Sequence, residues 1–382
     1  MIPLSMRLLT TALVACLASL GLSCSDSSET AATVDASGED AGAEADAAED
    51  ALELDAETGS EVGLPDASVP AVAPLKLADY PDGGGKYLLM TISVNGSPPI
   101  DVLLDTGSNG LRVFAEALEG TEVEVGTEAL DVEFGNGEKL AGHIATSSVS
   151  FGDIATPEPI AYHLVESFEC ASWNPNCEFA DGSGALLTDA GIHGILGVST
   201  RAGQPASVYS PFAQLDPELR AGYVVHTGGW DANVGEVRFG VSDDDMAGFA
   251  TIDLLPGGSF PSGEPAWADD RVEACFVVNG KDVEPPCTEM VFDTGSSADV
   301  IYAPNLPPAE VDYGALAPGV TFEASAAGAF ETNFKVGSPQ TASLDLVFVD
   351  TTMPFAILGI GAFLRNDVWI DQAGGKIGFK LL

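Results

Sequence analysis

The sequence predicts a mainly β protein made of two related halves. The 43 Gly and 24 Pro among 382 residues indicate many turns, and no long heptad or repeated helical pattern is visible. One strand-and-loop pattern also occurs twice, which indicates an internal duplication. A chain of this length is enough for two domains, and its hydrophobic fraction of 46% supports large cores.

Residues 1–24 predict an export signal that is not part of the fold. Arg7 is followed by an apolar stretch with small residues, the pattern of a secretion signal. The stretch ends near Cys24 and polar residues follow at once, as in a bacterial lipoprotein signal whose cysteine is lipidated. Cys16 matches the cleavage motif better locally, but it would leave a very short apolar core, so we favour Cys24. Secretion as a soluble protein is the alternative, and the segment is short for a transmembrane anchor.

Residues 25–78 predict a disordered acidic tether. Residues 25–75 include 14 acidic residues and no Lys or Arg. Such a segment buries too little apolar surface to offset the entropy lost on ordering. We expect it to hold the folded part off the membrane to which the lipid attaches, at the cell envelope or cell surface.

The charge balance argues against nucleic acid as a partner. The chain has 58 Asp and Glu against 14 Lys and Arg, a formal net charge of −44. A nucleic-acid-binding protein needs the opposite sign to neutralise phosphates.

The four cysteines outside the signal form two close pairs. The pairs are Cys170 with Cys177, and Cys275 with Cys287. In an exported protein this spacing predicts two local disulfides. Because the spacings are not Cys-x-x-Cys and no His motif accompanies them, we expect no metal site there.

The repeated pattern is an apolar strand followed by Asp-Thr-Gly-Ser, a long β region and then Ile-Leu-Gly. Its segments are 105–108 and 195–197 in the first half, and 293–296 and 357–359 in the second half. A single Asp-Thr-Gly in a turn could arise by chance. Two copies in the same context indicate duplication.

In this order, these segments resemble a pepsin-like aspartic peptidase over nearly all of residues 80–382. The LLDTGSNGLRV hairpin end, the FGNG hairpin, the FDTGSSADVIYAP loop and the C-terminal AILGIGAFLRNDVWIDQAGGKIGFKLL carry the resemblance. It implies a bilobal pepsin-like acid protease fold, two β-barrel-like lobes with a central cleft. The expected N-terminal lobe is 79–247 and the expected C-terminal lobe is 248–382.

Asp105 and Asp293 are the expected catalytic pair. Two carboxyls a few ångströms apart cannot both ionise easily, so they share one proton and titrate as a unit. The ionised member would act as base on a water molecule, and the protonated member would polarise the scissile carbonyl. This chemistry needs no metal and no cofactor.

The resemblance implies supporting roles for the other loop residues. The threonines would brace each loop against the backbone of the other, the glycines would let the backbone approach the carboxylates, and the serines would hydrogen-bond to them. These residues are Thr106, Gly107 and Ser108 in the first loop, and Thr294, Gly295 and Ser296 in the second loop.

The flap, a hairpin that covers the site in this family, departs from the usual pattern. The expected flap residues are Phe134, Gly135, Asn136 and Gly137, where the family usually has a tyrosine in place of the phenylalanine. Arg112 stands where the family commonly has a tryptophan that supports this tyrosine. We expect Arg112 either to form a structural salt bridge or to reach the cleft.

These inferences predict an aspartic endopeptidase that cleaves extended peptide or protein substrates as a monomer. Residues 25–75 have no basic residue, so we expect no conventional inhibitory pro-segment. The alternative is a non-catalytic peptide- or protein-binding module on the same fold. Retention of both Asp-Thr-Gly-Ser loops argues against that alternative.

Overall fold

A computed structural model describes residues 71–79, 85–241, 243–312, 314–337 and 346–382. The predicted signal, Cys16, Cys24 and the tether as far as residue 70 lie outside these ranges. Within them, no helix is both long enough and apolar enough to span a membrane.

Strands dominate the described residues, which confirms the predicted mainly β class. The first half contains β1 Ala71–Asp79, β2 Lys86–Val94, β3 Ile100–Asp105, β4 Asn109–Phe114, β5 Glu124–Glu133, β6 Glu138–Ser147, β7 Val149–Phe151, β8 Ile154–Ala155, β9 Ile160–Cys170, β10 Gly194–Val198, β11 Tyr223–His226 and β12 Val234–Phe239. The second half contains β13 Ala250–Asp253, β14 Leu255–Ser259, β15 Pro265–Ala268, β16 Val272–Val278, β17 Lys281–Phe292, β18 Asp299–Tyr302, β19 Val311–Asp312, β20 Ala315–Leu316, β21 Thr321–Ala326, β22 Phe330–Lys335, β23 Val347–Asp350, β24 Phe355–Leu358, β25 Asn366–Asp371 and β26 Lys376–Leu381.

Helices in the described ranges are short. They are α1 Ala185–Thr188, α2 Pro217–Arg220 and α3 Ile360–Arg365, with 3₁₀ turns at Ala115–Leu118, Pro211–Gln214 and Asp243–Met246. Only α3 is buried along nearly its whole length, and it directly follows the second Ile-Leu-Gly segment.

The prediction placed the start of the folded part too far along the chain, at residue 79. Residues 71–78, assigned to the disordered tether and left out of the predicted 79–247 lobe, belong to β1. That strand pairs with both β12 and β2. The alternating apolar residues Ala73, Leu75 and Leu77 point into the core and are buried, which offsets the entropy cost of ordering the strand.

Two large sheets organise the described residues. The first runs β13-β26-β25-β11-β12-β1-β2-β3-β10-β4-β9-β6-β5, with β7 and β8 attached beside β2. The second runs β19-β20-β23-β18-β24-β17-β16-β21-β22. The β14–β15 hairpin forms a separate pair.

The predicted boundary at residue 247 does not separate these sheets. Strands β13, β25 and β26 belong by sequence to the second half, yet they extend the first sheet. Strand β25 pairs with β11, and β26 pairs with β13. The pairing gives the backbone groups at the edge of β11 hydrogen-bond partners that they would otherwise lack.

The internal duplication is visible in strand pairing. In the first half, β10 runs parallel to β3 and antiparallel to β4. In the second half, β24 has the same relation to β17 and β18. Each Ile-Leu-Gly segment therefore lies beside the strand that leads into an Asp-Thr-Gly-Ser loop.

Candidate active site

The two Asp-Thr-Gly-Ser loops are joined by a reciprocal set of hydrogen bonds. Thr106 Oγ1 donates to the Phe292 carbonyl at 2.8 Å, and Thr294 Oγ1 donates to the Leu104 carbonyl at 2.6 Å. Each threonine hydroxyl also accepts the backbone N–H of the other threonine at 3.0 Å. The bracing that the resemblance implied for Thr106 and Thr294 is present in this geometry.

Asp105 lies at the end of β3, fully buried, and accepts three hydrogen bonds from its own loop. The Ser108 hydroxyl donates to Oδ2 at 2.5 Å. The backbone N–H groups of Gly107 and Ser108 donate to Oδ1 at 2.8 and 3.1 Å. Two of these three donors are backbone N–H groups, so the shape of the loop itself holds the carboxylate.

Asp293 is equally buried and lies near Asp105. The Gly295 N–H donates to Asp293 Oδ1 at 2.8 Å, and the interaction with Asp293 lowers the pKa of Asp105. A Cβ atom added to Gly295 would lie 2.9 Å from Asp105 Oδ1 and 3.1 Å from Asp293 Oδ1. Glycine is therefore required at position 295, because any side chain there would collide with both carboxyls.

Burial has the largest effect on the pKa of Asp105 in the Asp105–Asp293 pair. Loss of water raises the pKa of Asp105 above its ordinary value. The Ser108 hydroxyl, Asp293, the Arg112 charge and the Gly107 N–H each lower that pKa in turn, without cancelling the effect of burial.

Ser296 does not match its predicted role. Its hydroxyl donates to the Ala298 carbonyl at 2.6 Å, whereas Ser108 in the first loop donates to its aspartate. A hydroxyl has one proton to donate, so Ser296 does not donate to Asp293 as Ser108 does to Asp105. The two loops are thus related by duplication but differ in chemistry.

The Ile-Leu-Gly segments press against the backs of these loops. A Cβ atom at Gly197 would lie 2.7 Å from the Gly110 carbonyl oxygen, and one at Gly359 would lie 2.5 Å from the Ala298 carbonyl oxygen. Real Cβ contacts do not come so close, so glycine is needed at both places. This close packing explains why the same tripeptide occurs in each half.

The predicted flap residues Phe134, Gly135, Asn136 and Gly137 form the turn between β5 and β6. Phe134 is buried, with 3% of its surface exposed, and it belongs to an apolar cluster in the first half. Its ring therefore faces inward from the tip of the hairpin and is not displayed to solvent.

The loop closed by the Cys170–Cys177 disulfide holds this turn. The Ala171 N–H donates to the Gly137 carbonyl, and Asn174 Nδ2 donates to the Asn136 carbonyl, both at 2.7 Å. Cys275 and Cys287 form the second disulfide, across β16 and β17. Both predicted disulfides are confirmed.

Arg112 reaches the site, which was one of its two expected positions. It is 96% buried on β4, and its Nη1 donates to the Ser108 hydroxyl at 3.2 Å and to the Gly110 carbonyl at 3.3 Å. Its guanidinium lies over the Phe134 ring, 5.7 Å from the ring centre.

A comparison with known families finds a match in the first half of the chain. A family model described as the PE-PGRS C-terminal aspartyl peptidase-like domain matches residues 71–253. The chain is similar there to an aspartyl peptidase-like domain. The matched range contains Asp105, Arg112 and the hairpin tip at Phe134, and it ends before Asp293. A comparison with curated proteins finds no match.

One contact of the first Asp-Thr-Gly-Ser loop was not foreseen from the sequence. Arg201 follows the first Ile-Leu-Gly segment, and its Nη2 donates to the Gly107 carbonyl at 2.5 Å. The same guanidinium pairs with Asp269 at 3.3 Å and with Asp270 at 3.0 Å. It therefore ties the first Asp-Thr-Gly-Ser loop to a segment that is distant in sequence, so no local pattern could indicate it.

Asp269 is itself a partly buried side chain that anchors nearby groups. It accepts the Thr200 N–H at 2.7 Å and the Ser199 hydroxyl at 2.9 Å. Burial raises the pKa of Asp269, and the Arg201 charge lowers it. Across the described ranges, no group of three or more His, Cys, Asp or Glu side chains is arranged to hold a metal ion.

Proposed function

We propose that this protein is an aspartic-type endopeptidase with Asp105 and Asp293 as its catalytic pair. The observation that carries the proposal is this pair of fully buried carboxyls, both beside Gly295 at the junction of two duplicated loops. Buried carboxyl pairs in which burial raises the pKa of a member are typical of catalytic sites. Similarity of residues 71–253 to an aspartyl peptidase-like domain supports the same class.

The hydrogen bonds around Asp105 favour it as the ionised member. Its three donors and the nearby Arg112 charge all stabilise the carboxylate form. Asp293 then carries the shared proton. In this assignment Asp105 removes a proton from water as the water oxygen attacks the scissile carbonyl carbon, and Asp293 donates a hydrogen bond to the carbonyl oxygen. When the C–N bond breaks, the leaving nitrogen takes a proton from the pair.

A substrate can reach the two carboxyls only if part of the protein moves. Both carboxyls have no exposed surface, so a peptide must displace the groups that cover them. Opening of covering loops is a common step in enzymes with enclosed sites. The β5–β6 hairpin is the proposed cover, because its tip is linked to Asp105 through Arg112 and Ser108.

We further propose that the protein is exported and held at the cell envelope by a lipid on Cys24. The two disulfides support an oxidising environment, in which such bonds persist. A peptide or protein substrate outside the cytoplasm would then be the target, cleaved by a monomer without a cofactor.

The decisive experiment uses the purified protein and two variants, Asp105→Asn and Asp293→Asn. Each is incubated with a mixed peptide library between about pH 3 and 7, with and without a statine-type inhibitor. We expect cleavage by the parent, its suppression by the inhibitor, and its loss in both variants. Asp153→Asn, at an exposed turn between β7 and β8, is the matched control and should cleave normally.

Two results would contradict the proposal. One is an absence of cleavage by the folded parent at every pH, which would favour the binding-module alternative. The other is cleavage that persists in Asp105→Asn and Asp293→Asn, which would mean that another group carries the chemistry.

A further inference from the structure

Arg112 is a buried cation whose contacts join two parts of the site. It lies on β4, four residues after Ser108, with 4% of its surface exposed. A guanidinium removed from water is costly unless its N–H groups find partners. Two of its contacts are the Ser108 hydroxyl and the Gly110 carbonyl.

The contact with Ser108 gives the serine hydroxyl a direction. Arg112 Nη1 donates to Ser108 Oγ, so that oxygen acts as acceptor toward the guanidinium. The hydroxyl proton is then available for Asp105 Oδ2, which lies 2.5 Å away. The result is a charge-assisted line of hydrogen bonds from Arg112 through Ser108 to Asp105.

The face of the same guanidinium meets the hairpin. Its carbon lies 5.7 Å from the centre of the Phe134 ring, within the range of a cation–π interaction. Phenylalanine has no hydroxyl that could join a hydrogen-bond network, so the ring face is its means of binding a polar partner. Arg112 therefore contacts the hairpin tip and the dyad's serine at once.

We propose that Arg112 is a positioning residue that keeps Ser108 oriented as a donor to Asp105 and couples the hairpin tip to the dyad. This inference rests on the proposed peptidase function. In this proposal, Arg112 connects the β5–β6 hairpin, which covers the substrate, with the two reacting carboxyls. Opening of the hairpin to admit a peptide would separate Phe134 from the guanidinium, and closure over the peptide would restore the contact seen here.

The charges around Arg112 predict the sign of its effect. Its charge lowers the pKa of Asp105, and Asp293 faces Asp105 from the other half. His163 lies opposite Arg112 on β9. Burial first, and the Arg112 charge second, lower the pKa of His163 to about 3, while Asp131 raises it and His143 lowers it. His163 is therefore neutral over all but the most acidic end of the assayed pH range and adds no second positive charge there.

Removing the Arg112 charge should raise the pKa of the catalytic base. The acidic limb of the kcat/KM profile then moves to higher pH. A side chain with a merely structural role would lower activity or stability without moving that limb.

The test compares pH profiles of the parent with Arg112→Met and Arg112→Lys. Arg112→Met should move the acidic limb upward, and Arg112→Lys, which keeps the charge, should move it much less. Phe134→Leu should raise KM while leaving the acidic limb in place, because the guanidinium remains beside Ser108. The matched control is Arg365→Met, whose guanidinium lies 5.0 Å from the Phe334 ring centre and bonds to the Gly361 carbonyl. Its acidic limb should stay where the parent's is.

A readout without substrate separates this inference from the proposed function. Carbon-13 NMR of aspartate-labelled protein follows the Asp105 carboxyl, assigned by its loss in Asp105→Asn. A higher Asp105 pKa in Arg112→Met supports the inference even if the parent cleaves nothing. An unchanged Asp105 pKa, or equal shifts in Arg112→Met and Arg365→Met, overturns it. Should Arg112→Met not fold, the same comparison is made with Arg112→Lys and Phe134→Leu, and an unchanged KM in Phe134→Leu overturns the coupling.

Discussion

At the scale of single residues, the candidate site depends on side chains with two tasks each. The Thr106 hydroxyl donates to one loop and accepts from the other, and Thr294 does the same in reverse. Because all four partners are buried backbone groups, loss of either hydroxyl leaves polar groups without water to replace it.

Thr294→Val should therefore lower the free energy of unfolding by about 3 kcal/mol, since it leaves the Thr106 N–H and the Leu104 carbonyl unsatisfied. Urea unfolding measures the loss. Thr294→Ser keeps the hydroxyl and is the matched control, expected to lose much less. Equal stability of Thr294→Val and the parent would contradict a bracing role for this hydroxyl.

At the scale of elements, the β5–β6 hairpin is held by the loop that the Cys170–Cys177 disulfide closes, and it contains a buried carboxyl, Glu138. Its tip is bonded to the Cys170–Cys177 loop, and Trp173 of that loop donates to Glu133 at 2.7 Å. Glu138 begins β6 and is buried beside Asn136. Burial is the main cause that raises the pKa of Glu138 to about 8, and the Glu178 charge adds to it.

This raised pKa makes the hairpin more stable in acid. The unfolded chain releases the Glu138 proton above pH 4.5, its ordinary pKa, whereas the folded protein keeps it until about pH 8. The folded state therefore loses stability as pH rises from 4.5 to 8. The acidic conditions suited to a carboxyl dyad are also those in which this hairpin is most stable.

Glu138→Gln should remove that dependence. At pH 4 the variant and the parent should unfold with equal free energy, and at pH 7 the variant should be more stable by about 3 kcal/mol. Urea unfolding at the two pH values tests this, with Glu128→Gln on the exposed part of β5 as control. The same stability difference at both pH values would show that Glu138 does not titrate as described.

At the scale of the whole molecule, the two halves depend on each other. The first sheet is completed by C-terminal strands, with Tyr223 of β11 opposite Ile370 of β25. The second aspartate and the loop that braces Thr106 also come from the second half. A chain that stops at residue 253 has neither.

A fragment of residues 71–253, the range matched by the aspartyl peptidase-like family model, should thus fail to unfold cooperatively in urea, whereas residues 71–382 should do so. The fragment exposes the edge of β11 and leaves β13 without β26. Circular dichroism and limited proteolysis distinguish the two. A protease-resistant, cooperatively unfolding fragment would show that the first half is an independent domain.

The sequence by itself determined the local features of this protein. The mainly β class, the duplication, the position of each aspartate at a strand end and the two disulfides follow from periodicity, turn residues and spacing, which act over a few residues. The end of the tether was misplaced because β1 acquires its stability from β2 and β12, which the sequence does not place beside it.

Only the tertiary structure decided which side chains meet. The Ser296 hydroxyl bonds to Ala298 and not to Asp293, Arg112 bonds to Ser108 and stacks on Phe134, and Arg201 holds the Gly107 carbonyl. Identical Asp-Thr-Gly-Ser loops in the sequence thus acquire different chemistry. The physical reason is that a hydroxyl or guanidinium has several possible partners within reach, and strand register and packing of distant segments select among them.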